Sequence, residues 1–124
     1  MNVILADTSV WIDHFRTENA EMRRHLEKKN IVTHPYIVAE LALGSLRERA
    51  KTLAWLDRLP RVPVAQLREV RQMVEMCSLY SRGIGLIDAH LLASCLIHPP
   101  TLLWTKDKQL SKVAEALGIA AGLS

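Results

Sequence analysis

Three observations predict an α/β fold built on a mostly parallel sheet. Short apolar runs rich in β-branched residues, such as Val3-Ile4-Leu5-Ala6 and Ile31-Val32-Thr33, have no polar side, which suits strands covered on both faces. Segments with apolar residues three and four apart lie between them, as in helices that bury one stripe. The two patterns alternate along the chain, which implies an α/β/α sandwich around a central sheet. A length of 124 residues is about one domain, and residues 1–124 show no linker, repeat or low-complexity segment to divide them.

Each element follows in order. Residues 3–6 form the first strand, and Asp7-Thr8-Ser9 supplies capping groups for a helix through Val10, Trp11, Ile12 and Phe15. Residues 18–29 read as a polar amphipathic helix with Met22 and Leu26 inward, and residues 31–33 as a second strand. Pro35 opens an almost wholly apolar helix over residues 37–43, which Gly44 stops. Leu46, Leu53, Leu56 and Leu59 mark a further helix closed by Pro60. Residues 61–64 are a third strand weakened by Pro63, which offers no N–H. Leu67, Val70, Val74 and Cys77 mark an amphipathic helix. Gly83 and Gly85 break the chain before a buried helix over residues 88–97. After Pro99-Pro100, residues 101–104 form a strand and residues 107–117 a last helix ended by Gly118. The tail, residues 120–124, is short for an edge strand.

Composition excludes several function classes. An apolar fraction of 49% and a charged fraction of 23% are ordinary for a globular protein, not for a disordered or collagen-like chain. Two cysteines, Cys77 and Cys95, are too few for a disulfide framework, and both sit at apolar helical positions, as buried free thiols do. The N-terminus lacks a basic region and its apolar run stops at Asp7, so no signal peptide is read there. The other apolar runs fall well short of the ~20 residues that span a bilayer. A soluble, cytoplasmic protein without a membrane partner is expected. Lys and Arg number 16 against 13 acids, a net +3 that permits a nucleic-acid partner without requiring one.

The acids carry the chemistry. Asp7 directly follows the first strand and Asp107 follows the last by two residues, so in a parallel sheet both reach the carboxyl edge where open α/β folds bind ligands. Asp88 opens an apolar helix, and Glu40 sits mid-helix in Ile37-Val38-Ala39-Glu40-Leu41-Ala42-Leu43 with no Lys or Arg three or four residues away. A carboxylate in apolar surroundings must be paired, protonated or bound to a metal. Taken singly, Asp7, Asp88 and Asp107 also fit the role of helix caps, and Glu40 that of an inter-helix ion pair. Asp13, near Arg16, and Asp57, beside Arg58, read as surface charges. If Asp7, Glu40, Asp88 and Asp107 converge, oxygen-only donors select a hard cation, Mg²⁺ or Mn²⁺, over Zn²⁺. Such ions suit hydrolysis of a phosphodiester.

The segments Asp7-Thr8-Ser9-Val10-Trp11-Ile12-Asp13, Val38-Ala39-Glu40-Leu41-Ala42-Leu43-Gly44, Asp88-Ala89-His90-Leu91-Leu92-Ala93-Ser94 and Thr105-Lys106-Asp107 together resemble the PIN-domain ribonucleases. Among these, they resemble the VapC toxins of bacterial VapBC toxin–antitoxin pairs, in family order over about residues 2–118. The resemblance implies a PIN-like α/β/α sandwich and a Mg²⁺ or Mn²⁺ site made by Asp7, Glu40, Asp88 and Asp107. It also implies hydroxyl support from Ser9 (or Thr8) and Thr105, a homodimer, cleavage of structured transfer or ribosomal RNA, and silencing by a VapB-type antitoxin. Asp7, Asp88 and Asp107 are then mainly metal ligands, and Glu40 orients the attacking water or holds a second ion. The expected products are a 5′-phosphate and a 3′-hydroxyl, because water attacks and not a ribose oxygen. His34 and His90 suggest metal-free ribonuclease chemistry, but His90 reads better as a core or helix-surface residue.

Between residues 47 and 71, seven basic residues face three acids, and this stretch is either an RNA-facing rim or a solvated helix face. Arg82, Lys106 and Lys108 flank the acids and are the better candidates for holding RNA. Aromatic residues are scarce and Trp11 and Trp104 are expected in the core, so RNA shape should matter more than stacked bases. Two rival readings remain at this point. One is a PIN-like module that binds RNA or a partner without turnover. The other is a receiver-type signalling domain with an acidic pocket, which fits poorly because Asp7 stands alone and Glu40 lies in a helix.

Overall fold

A computed structural model describes residues 3–123; Met1, Asn2 and Ser124 lie outside the described residues. The strands are β1 (Val3–Ala6), β2 (Ile31–Val32) and β3 (Thr101–Trp104). The helices are α1 (Thr8–Arg16), α2 (Ala20–Glu27), α3 (Pro35–Leu43), α4 (Arg49–Asp57), α5 (Leu67–Met76), α6 (Leu86–Ile97) and α7 (Lys108–Ala116). Among the described residues the strands form one parallel sheet in the order β2-β1-β3. Single parallel bridges widen it at both edges, Thr33 to Arg61 and Leu103 to Ala120.

Successive strand residues point to opposite faces, and Ile4, Leu5 and Ala6 are all buried, so both faces of β1 are covered. On the sheet, α1 packs against β1 and α3, which in turn meets α4, while α6 packs against β3 and α5. The result is the expected α/β/α sandwich. Trp11 and Trp104 are both in its core, together with Leu5, Met22, Leu91, Leu92, Leu103 and Leu110.

Several boundaries differ from the sequence reading, each for a local reason. The third strand over residues 61–64 reduces to one bridge at Arg61, since Pro63 cannot extend the ladder. Helix α4 begins at Arg49 and not near Leu46, because Glu48 takes a left-handed conformation (φ 45°) that interrupts the helix. Helix α2 starts at Ala20 because the side chain of Asn19 caps it, accepting from the Met22 N–H at 3.0 Å. Helix α6 starts two residues before Asp88, and α7 one residue after Asp107, which becomes its cap. The tail does add an edge contact through Ala120, where Ala121 N–H donates to the Leu103 carbonyl and Leu103 N–H to that of Ile119. Cys95 is buried and its thiol is pushed up to about 12, an inert group. Cys77 is only partly buried, because it caps the end of α5 and does not lie within its inner stripe.

Candidate active site

The register between β1 and β3 builds the first half of the site. Ala6 lies opposite Trp104, so the chain leaves both strands at the same level of the carboxyl edge. Asp7 and Thr105 are the residues that follow. The Asp7 N–H donates to the Trp104 carbonyl at 3.0 Å, and the Thr105 hydroxyl donates to Asp7 Oδ2 at 2.5 Å. Asp7 also caps α1: its Oδ1 accepts from the Val10 N–H at 3.2 Å and from the Ser9 hydroxyl at 2.5 Å. Ser9 Oγ in turn accepts from the Lys106 N–H at 2.9 Å and lies 3.5 Å from Thr105 Oγ1. Asp7 is only 6% exposed. Burial raises its carboxyl pKa above the usual range, against the lowering effect of the Ser9 and Thr105 hydroxyls and the Val10 and Ser9 N–H groups.

Glu40 reaches the same edge from α3, which packs on α1. The Thr8 hydroxyl donates to Glu40 Oε1 at 2.6 Å. An inter-helix ion pair was the alternative for Glu40; among the described residues its partner is this hydroxyl and not a cation. The three hydroxyls therefore divide the work: Ser9 and Thr105 hold Asp7, and Thr8 holds Glu40.

Asp88 and Asp107 complete the acidic set from two helix starts. The Gly85 N–H points to Asp88 Oδ2 at 3.4 Å, a long contact. Burial raises the Asp88 carboxyl pKa, and the charges of Asp107, Asp7 and Glu40 raise it further, against that backbone contact. Asp107 is exposed and caps α7, with Oδ1 accepting from the N–H groups of Gln109 and Leu110 at 2.9 and 3.1 Å. Three carboxylates from distant parts of the chain, those of Asp107, Asp7 and Glu40, thus act on that of Asp88. Capping is real for Asp7 and Asp107, but it leaves the like-charge cluster uncompensated. The donor chemistry fits a hard divalent cation, with carboxylate oxygen throughout. Among the described residues no three acidic, His or Cys side chains are gathered tightly enough to grasp one ion as they stand, so the fit rests on donor type and charge.

The remaining candidates fall into place around this core. Arg82 and Lys108 are exposed. The Lys106 ammonium is 3.6 Å from Asp13 Oδ2, so Asp13 pairs across to Lys106, and its carboxyl is held below the usual range chiefly by Asn19 Nδ2, with Lys106 and Arg16 adding to it. Asp57 pairs with Arg61 and not with Arg58, at 3.2 Å. Arg49 donates to the Ala42 and Gly44 carbonyls at the end of α3, so one member of the basic stretch serves structure.

Neither histidine is placed for acid–base work. His34 is fully buried and caps α3, its Nδ1 accepting from the Tyr36 N–H at 3.0 Å. That bond places the proton of the neutral ring on Nε2, which is buried without a partner among the described residues. Burial, helped by His90 and Arg61, pulls its pKa down to about 4. His90 is also buried, with Tyr36 packed edge-on against both rings. No spacing in the sequence signals this cluster, because the two histidines come from different helices.

Among the described residues no helix is long and apolar enough to cross a membrane. Comparison with known proteins agrees with the geometry. The family model for the PIN domain matches residues 4–116. Two curated relatives, each named Ribonuclease VapC32, come from Mycobacterium tuberculosis strains CDC 1551 / Oshkosh and ATCC 25618 / H37Rv. Each is 39% identical over 118 residues, covering 95% of this chain and 95% of the relative. With the acids at the carboxyl edge of a parallel sheet and similarity running nearly end to end, the chain belongs to the PIN domain family, among its VapC ribonucleases.

Proposed function

We propose that this chain is a toxin endoribonuclease that uses Mg²⁺ or Mn²⁺ to hydrolyse structured RNA, transfer or ribosomal. The observation that carries this reading is the register of β1 against β3, which sets Asp7 and Thr105 side by side at the carboxyl edge, with Glu40 brought to the same edge through Thr8. Asp7, Asp88 and Asp107 are the proposed ligands, with Glu40 beside them. When bound, the cation activates water and offsets charge on the leaving oxygen. The protein's own groups do the positioning. Thr105 and Ser9 fix both oxygens of Asp7. Thr8 fixes Glu40 Oε1 and leaves Oε2 to orient the attacking water. Both cap bonds of Asp107 use Oδ1, so Oδ2 is left for a ligand. Water attacks phosphorus and the 3′-oxygen leaves, yielding a 5′-phosphate and a 3′-hydroxyl. Arg82 and Lys108 hold the RNA backbone nearby.

A VapB-type antitoxin is the proposed partner, as the names of the relatives support. A homodimer is proposed as well. Its support is the apolar groove beside Glu40, where Tyr36, Leu67 and Leu86 are exposed and Leu43 is 89% exposed. The test is cleavage of total RNA by the purified chain with Mg²⁺ or Mn²⁺. EDTA is expected to abolish cleavage and added metal to restore it, and cleavage that persists in EDTA overturns the mechanism.

A further inference from the structure

Six aromatic residues (three Trp, two Tyr and one Phe) are present in the chain. Among the described residues five of them contact another ring: Trp11 meets Phe15 and Trp55, Trp104 meets His25, and Tyr36 lies between His34 and His90. Tyr80 is the exception. It is 59% exposed, the most of the six, and among the described residues it has neither a ring contact nor a hydrogen bond. A ring with no neighbour against it leaves its face available for a base to stack on.

Its setting is the segment between α5 and α6, and the C-terminal end of that segment approaches the acidic set at two points. Gly85 closes it and donates toward Asp88 Oδ2 at 3.4 Å. Gly83 lies beside the side chain of Gln109, whose N–H is bound to Asp107. Ser78 and Ser81 hold left-handed φ values of 53° and 60°, and Gly83 one of 77°. Ser78 takes its value as the left-handed cap that ends α5, with the Leu79 N–H bonded to the Val74 carbonyl, and Ser81 turns the chain directly after Tyr80. Below Tyr80 lies a pit of about 220 Å³, floored by Val70, Val74, Leu79, Ile84 and Ala89, with Arg71 and Glu75 on its wall. Neither Arg71 nor the neighbouring Arg82 makes an ion pair among the described residues.

We propose that this pit is a nucleobase site: an unpaired base next to the scissile phosphate stacks on Tyr80 over the apolar floor, while Arg71 and Arg82 take the flanking phosphates. The inference rests on the ribonuclease reading and adds to it a base-reading element on the rim between Asp88 and Asp107. It also bears on the expectation that shape dominates recognition, since one aromatic platform is free to stack.

Two measurements test it. The first is cleavage of hairpin RNA with a randomised loop in Mn²⁺, with the new 5′ ends sequenced. Wild type should favour particular bases beside the cut. Tyr80→Ala should flatten that preference and raise KM about tenfold with kcat retained, and Tyr80→Phe should behave as wild type. The second is anisotropy of a fluorescein-labelled single-stranded RNA pool in EDTA, which needs no turnover. Tyr80→Ala should weaken binding about tenfold, and Arg82→Gln should lower the salt dependence by about one phosphate contact. Because Tyr80 is exposed, its thermal midpoint should not move. Cleavage by wild type with an unchanged profile and KM in Tyr80→Ala overturns the base site and leaves the ribonuclease reading intact. RNA binding lost on Tyr80→Ala without any cleavage by wild type removes the ribonuclease reading and keeps the base site. Unchanged RNA binding together with loss of self-association in Tyr80→Ala overturns the proposal in favour of a contact between copies.

Discussion

The corner around Asp7 and the rim around Asp88 carry the same functional group under opposite constraints. Asp7 is buried and both its oxygens are fixed, by Ser9 and Val10 on one side and Thr105 on the other. Asp88 is half-buried, with one long contact from Gly85, and it experiences three neighbouring carboxylates. Burial raises the pKa of both, but hydroxyl donors oppose it at Asp7, whereas like charges reinforce it at Asp88. One acid is a preset anchor, and the other is held in tension that a cation would release.

The sharpest way to break this contrast is Asp7→Asn. Amide replaces carboxylate with the cap to α1 retained, so cleavage should fall roughly 10²–10³-fold, measured as kcat/KM on total RNA. Stability should move the other way. A carboxyl whose folded pKa is raised costs stability above that pKa, and the cost disappears as pH falls through it. At neutral pH without metal, Asp7→Asn should therefore raise the unfolding midpoint. A lowered midpoint would mean that the hydroxyl bonds outweigh burial at this corner.

The next effect concerns a region outside the acids. His34 has its pKa lowered to about 4, so its stabilising contribution is complete above its unfolded value near 6.5 and is lost as pH falls toward 4. The full loss is roughly 3 kcal/mol. His34→Asn keeps an N-cap acceptor for α3 and should flatten the urea midpoint between pH 6.5 and 4. His14 and His25, also lowered mainly by burial, leave a smaller residual slope.

The smallest change separates the two halves most finely. Thr8→Val removes the hydrogen bond to Glu40 Oε1 and should lower kcat about 10- to 100-fold with little effect on KM. Thr8→Ser should restore it. An equal loss in both variants would place the effect in packing between α1 and α3 and not in the orientation of Glu40.

Much of this was legible along the chain. Strands without a polar side predicted coverage on both faces, and helix punctuation by Pro35, Gly44 and Gly118 held to within a residue or two. The four acids stood out because a carboxylate in apolar company needs an explanation. Weaker signals misled where backbone conformation decided the outcome. The left-handed Glu48 shortened α4, and a single bridge replaced the strand at residues 61–64. The partners of ordinary charges were decided by the fold, since Asp13 pairs with Lys106 from far along the chain while Arg16 one turn away only adds to it.

By itself, the sequence determined the fold class and singled out the four acids, because periodicity and the cost of burying charge are local properties, and the hydroxyls beside them followed from the family resemblance. Only the tertiary structure decided which hydroxyl serves which acid, that Thr8 turns to Glu40, that His34 is buried as the cap of α3 and that, among the described residues, Tyr80 is the one aromatic residue with no ring against it. Those outcomes depend on the register of β1 against β3 and on which helices meet, contacts between residues up to 98 positions apart that no sequence window contains.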